Sequence, residues 1–80
     1  MVIKKRSLVI GEAKTSVSLE DEFWESLRLI AAEHGLPLNR FVEAIAKRAS
    51  GNLSSALRVT VLEHFISKCE SARTGLNTAD

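Results

Sequence analysis

The stretch Lys14-Thr15-Ser16-Val17-Ser18-Leu19 alternates with a period of two, so that 15, 17 and 19 share one face and 14, 16 and 18 the other. Such alternation marks a strand with one side buried. Upstream, Lys4-Lys5-Arg6-Ser7-Leu8-Val9-Ile10 is β-branched and aliphatic and ends at Gly11. These patterns predict strands at about 5–10 and 14–19. They are joined through Gly11-Glu12-Ala13 as a hairpin or as a continuous irregular arm. One or two strands in an otherwise helical chain of 80 residues have exposed edges and too few neighbours to be stable alone.

From Leu19 onward the period becomes helical. Phe23, Leu27, Ile30, Ala31 and His34 fall on one stripe, with Trp24 at its border. Glu20, Asp21, Glu22 and Glu25 crowd the first turns, where the helix dipole favours negative charge. Ser18 is a candidate N-cap, with Asp21 three residues on. Gly35 suits the left-handed residue that closes a helix. The first helix is therefore expected at about 20–34. A second, at about 37–49, begins with Pro37 at its first position and carries Leu38, Phe41, Val42 and Ile45 on its apolar side. A third, at about 53–67, is capped by Asn52 or Ser54 and presents Leu53, Ala56, Leu57, Val61 and Phe65. Residues 1–67 thus read as one domain, followed by a frayed polar tail at 68–80.

So short a chain has little room for a core, and disulfides, metals or partner chains usually make up the deficit. A single cysteine, Cys69, forbids an internal disulfide. Cys69, His34 and His64 sit in no metal-site spacing, so no metal or other cofactor is expected. Pairing of the strand with the same strand of a second copy would satisfy both the edge and the core, which predicts a homodimer. No apolar run approaches the roughly 18 residues of a membrane span. One thiol and the lack of an export signal point to the cytoplasm. No nucleophile–base spacing or glycine-rich phosphate loop stands out, so no enzyme is expected.

The net charge of +1 is unevenly spread. Lys4, Lys5, Arg6 and Lys14 against Glu12 give residues 1–19 a charge of +3, whereas residues 20–34 carry −4. Residues 35–52 return to +2 and the remainder is neutral. The molecule is polarised.

The run TSVSLEDEFWESLRLIAAEHGLPLNRFVEAI resembles the ribbon-helix-helix family of DNA-binding proteins, to which the Arc and methionine repressors belong. It has a short alternating strand, an acidic helix, a glycine turn and a second amphipathic helix. The RSLVI arm and the NLSSALR third helix extend the likeness to a bacterial subgroup with these additions, over roughly residues 6–66. The resemblance implies a mostly α fold with a short β-ribbon. In it, an intermolecular antiparallel strand pair unites a homodimer and an additional C-terminal helix follows.

It also implies double-stranded DNA as partner, read in the major groove by a ribbon. Lys14, Ser16 and Ser18 become the base-contacting residues. Lysine donates to guanine O6 or N7, and a serine hydroxyl donates or accepts at a base edge. The start of the second helix, at Leu38, Asn39 and Arg40, becomes a phosphate contact, since its free amides suit an anion. Lys4, Lys5 and Arg6 become an arm to flanking phosphates. The expected function is a sequence-specific transcriptional regulator, a repressor reading an inverted repeat. The alternative is a homodimeric protein-interaction module or antitoxin that binds a protein partner through the third helix or the tail. Without the resemblance, the Lys14, Ser16 and Ser18 face is simply the solvated side of a strand.

Overall fold

The computed structural model describes residues 2–76. Strands β1 (Ile3–Ile10) and β2 (Ala13–Glu20) form an antiparallel pair within the chain, with Ile10 opposite Ala13 and Ile3 opposite Glu20. The hairpin alternative holds, and its loop is only Gly11-Glu12. Gly11 has φ +61°, and among the described residues no non-glycine residue has positive φ, as required by a two-residue turn with glycine first. The partner of β2 is thus supplied by the same chain, where a second copy was expected.

Helix α1 runs over Asp21–Glu33, α2 over Leu38–Arg48 and α3 over Leu53–Leu76. Ser18 is not the N-cap of α1. The strand's alternation continues through Leu19, so the chain stays extended until Glu20, which occupies the cap position without a side-chain hydrogen bond to the helix amides. Gly35, at φ +68°, closes α1. Its N–H donates to the Ala32 carbonyl and that of Leu36 to Ala31, at 3.0 and 2.9 Å. Those paired bonds satisfy carbonyls that the helix end leaves free. Pro37 is the residue before α2 rather than its first member; its φ of −62° and ψ of 148° suit an extended entry. Asn52 caps α3, its Oδ1 accepting from the Ser55 N–H at 3.0 Å.

Two expectations about α3 are corrected. The helix does not end near residue 67 but continues through residue 76, because no glycine or proline interrupts it before Gly75. Lys68 helps by reaching back to Glu33 at 3.1 Å. Residues 77–80 of the expected tail lie outside the described residues. Phe65 is 44% exposed instead of facing the core. Each step of four residues overshoots a helical turn by about 40°, so Leu57 and Val61 face inward while Phe65 has rotated away.

The core draws on all five elements: Leu8, Val17 and Leu19 from the hairpin, Leu27, Ile30 and Ala31 from α1, Phe41, Val42 and Ile45 from α2, and Leu57 and Val61 from α3. Its buried members are all hydrophobic. Leu8, Leu57 and Val61 therefore give this small chain apolar material from outside the strand and first two helices. Among the described residues, no helix is long and apolar enough to cross a membrane.

Candidate nucleic-acid interface

Pleating gives the hairpin two unlike faces. On the inner face Leu8, Val17 and Leu19 are buried and Arg6 and Thr15 half-buried. On the outer face Lys14, Ser16 and Ser18 are all exposed, and the register sets them opposite Val9, Ser7 and Lys5 respectively. The three side chains singled out in β2 are thus brought together, and three from β1 join them. Two of those, Ser7 and Val9, sequence reasoning did not assign to any site. A signal for them exists: Lys-Arg-Ser-Leu-Val-Ile at 5–10 nearly repeats Lys-Thr-Ser-Val-Ser-Leu at 14–19.

The basic arm is a strand, and its three cations divide between an exposed Lys5 and a Lys4–Arg6 pair that shares one carboxylate. Lys5 is exposed on the outer face. Lys4 donates from Nζ to Asp21 Oδ2 at 3.1 Å. Arg6 donates to the other Asp21 oxygen, and its guanidinium carbon lies 4.9 Å from the centre of the Trp24 ring. Trp24 packs against the core edge beneath it. The hydrogen bond from Lys4, first, and that from Arg6 hold the Asp21 carboxyl below its usual range; desolvation opposes them, more weakly than the Lys4 bond but more strongly than the Arg6 bond. The positive strand and the negative helix start are therefore partly neutralised against each other.

At the other edge, α3 closes the end of β2. The Ser18 N–H donates to Ser54 Oγ at 2.9 Å, and Arg58 Nη2 donates to the Ser18 carbonyl oxygen at 3.0 Å. Arg58 Nε also donates to Glu20 Oε1 at 3.1 Å. Glu20 is held below the usual carboxylate range first by a backbone hydrogen bond and then by Arg58.

The start of α2 lies beside the hairpin tip. Asn39, Arg40 and Glu43 share with Val9 and Gly11 a cleft of about 340 Å³. Asn39 and Arg40 are exposed, whereas Leu38 packs against the core and offers only its backbone. No side chain caps α2, so its first amides remain available to an anion. Glu43 adds a negative charge on the same cleft, which limits how deep a phosphate can sit.

His34 stacks on Phe41 with ring centres 5.7 Å apart. His64 lies 3.7 Å from Glu33, and Cys69 is exposed. The outer hairpin face offers cations and hydroxyls, and the cleft at its tip offers free amides, which is hydrogen-bonding and electrostatic chemistry.

Residues 3–65 match the model of the ribbon-helix-helix domain family. Among solved structures, an uncharacterized protein from Bordetella pertussis Tohama I is similar, with 30% sequence identity and a TM-score of 0.75. The likeness covers 88% of this chain and 61% of that one, so the present chain spans less than two thirds of its length. No curated protein matches. With the hairpin, the glycine-closed acidic helix and the amphipathic second helix all in place, the chain belongs to the ribbon-helix-helix domain family.

Proposed function

We propose that the chain is a DNA-binding transcriptional regulator, acting as a repressor, that lays the outer face of its hairpin in the major groove. One observation carries this reading. Lys14, Ser16 and Ser18 stand exposed together on one face of a two-stranded ribbon whose other face is anchored in the core. A ribbon of this width fits a groove about 12 Å across. The Leu38 amide, Asn39 and Arg40 take a phosphate beside the hairpin tip, and Lys5 takes another. Lys4 and Arg6 add phosphate contacts when they exchange Asp21 for DNA. Two copies form a homodimer that reads an inverted repeat, in the cytoplasm, without a cofactor and without catalysis.

Selection of bound duplexes from a random library tests the reading. Recovery of an inverted repeat by the native chain, lost in the Lys14→Ala/Ser16→Ala/Ser18→Ala variant while the fold persists, is the expected result. Undiminished recovery by that variant refutes the assigned face.

A second reading, a homodimeric interaction module or antitoxin acting through α3, is favoured by one feature. Val59, Leu62, Phe65 and Ile66 are 44–57% exposed on the side of α3 away from the core. A folded dimer that enriches no duplex would shift the assignment to this reading.

A further inference from the structure

We propose that β1 is a second base-reading strand, so that Lys5, Ser7 and Val9 contact bases alongside Lys14, Ser16 and Ser18, with Val9 packing on a thymine methyl. This rests on the DNA-binding reading above and extends it to a strand outside the assigned reading face.

The first ground is the near-repeat. Aligned, Lys5 matches Lys14, Ser7 matches Ser16 and Val9 matches Ser18, while the inward residues Leu8 and Ile10 match Val17 and Leu19. In an antiparallel pair, a local two-fold axis perpendicular to the sheet exchanges the strands. The observed register puts Ser7 directly opposite Ser16, so an axis between them carries Lys5 onto Lys14 and Val9 onto Ser18. The outer face is therefore nearly two-fold symmetric within one chain. Both copies of the pattern turn the same residues outward.

The second ground is the state of the sheet edge. The Ser18 N–H and carbonyl point away from β1 and are taken by Ser54 and Arg58. A strand from a second copy must displace both to pair with β2 at Ser18. Width gives the same answer. Strands lie about 4.8 Å apart, so doubling the hairpin edge to edge would set the outer strands about 14 Å apart, beyond a groove of about 12 Å. A single hairpin fits. The groove-entering ribbon is then β1 with β2, and its face has six residues.

The third ground is Val9 itself, 53% exposed among lysines and serines with its core-facing neighbours already satisfied. Valine cannot bond to a base edge, but it can cover the C5-methyl group that distinguishes thymine in the major groove. Lys5 and Val9 are four residues apart, about 13 Å along the strand or about four base-pair steps. The face thus reads a short, imperfect inverted repeat. Its lysine and serine positions are equivalent in the two halves. The Val9 and Ser18 positions are not, and thymine is demanded on the Val9 side.

The test uses the full chain and the duplex recovered by selection. Replacing the thymine of the Val9 half by deoxyuridine removes only the methyl group, and is expected to weaken native binding about three- to tenfold. Val9→Ser should bind the two duplexes equally and lose the thymine preference in a fresh selection. Ser7→Ala should relax the preference at an adjacent base pair, as Ser16→Ala does in the other half. Val9 and Ser7 are exposed, and a thermal melt of each variant checks that the fold is intact. Equal sensitivity to the methyl group in the native and Val9→Ser chains overturns the role of β1 while leaving DNA binding standing. Failure of the native chain to enrich any duplex overturns both readings.

Discussion

The Arg58 guanidinium lies 3.0 Å from the Ser18 carbonyl oxygen, across forty residues of sequence, and joins α3 to the last turn of the ribbon before α1 begins. The same side chain pairs with Glu20 and lies 5.9 Å from the Phe23 ring centre. It therefore fixes the direction in which the hairpin leaves the helical body. Arg58→Ala should lower Tm by about 5 °C and speed amide exchange at Ser18. Lysine restores one charge but not the forked geometry, so Arg58→Lys should recover only part of the loss. Unchanged exchange at Ser18 in Arg58→Ala would show that the edge is held without it.

Gly35 offers a cleaner probe of backbone strain. Its φ is +68°, and a Cβ added there meets nothing within 4 Å. Gly35→Ala therefore costs only the left-handed conformation, about 1 kcal/mol, whereas Gly35→Asn costs less because asparagine tolerates that region. Chemical denaturation of the three proteins should rank them glycine, asparagine, alanine. An alanine variant as stable as the native chain would mean that the end of α1 has rearranged.

Period-two alternation made β2 and its two faces legible, and Gly35 marked the end of α1. The sidedness of β1 was harder to see. Leu8, Val9 and Ile10 are consecutive apolar residues, and only pairing with β2 reveals that Leu8 faces in and Val9 out. Fates decided by tertiary contact were not legible at all. Lys4 and Arg6 read as a free basic arm because their partner, Asp21, is 17 and 15 residues away and belongs to another element. The apparent tail contained polar residues that suited a helix once Lys68 found Glu33. Local pattern reports which face a residue takes, whereas long-range ion pairs depend on how elements are brought together.

Asp21 also sets an acid limit to stability. Lys4 and Arg6 hold its carboxyl below the ordinary 3.8, as Lys68 holds that of Glu33 below the ordinary 4.5. A carboxyl with a lowered folded value binds protons more readily when unfolded. Its stabilising effect is complete above the ordinary value and is lost as pH falls through the lowered one. The native chain should keep its Tm between about pH 7 and 5 as far as these groups decide it, and lose stability in the window below. Asp21→Asn should be less stable than native near neutrality, with the gap closing below pH 3.8. Melts across that range read the difference, and a gap independent of pH would remove the ion pairs from the account.

Salt separates the cations by role. Each phosphate neutralised contributes about −0.9 to the slope of log affinity against log salt. Arg40→Ala should make the slope shallower by about that amount and weaken all duplexes alike, because a phosphate contact carries no sequence information. Lys14→Ala should instead alter which base pair is preferred. Asp21→Asn should act in the opposite direction to Arg40→Ala. Lys4 and Arg6 then reach phosphate without giving up a carboxylate, so affinity should rise at low salt while the number of phosphates neutralised, and with it the slope, stays as in the native chain. Titrations of labelled duplex at a series of salt concentrations measure all three. If Asp21→Asn leaves the affinity unchanged, Lys4 and Arg6 are structural cations of the hairpin and take no part in holding DNA.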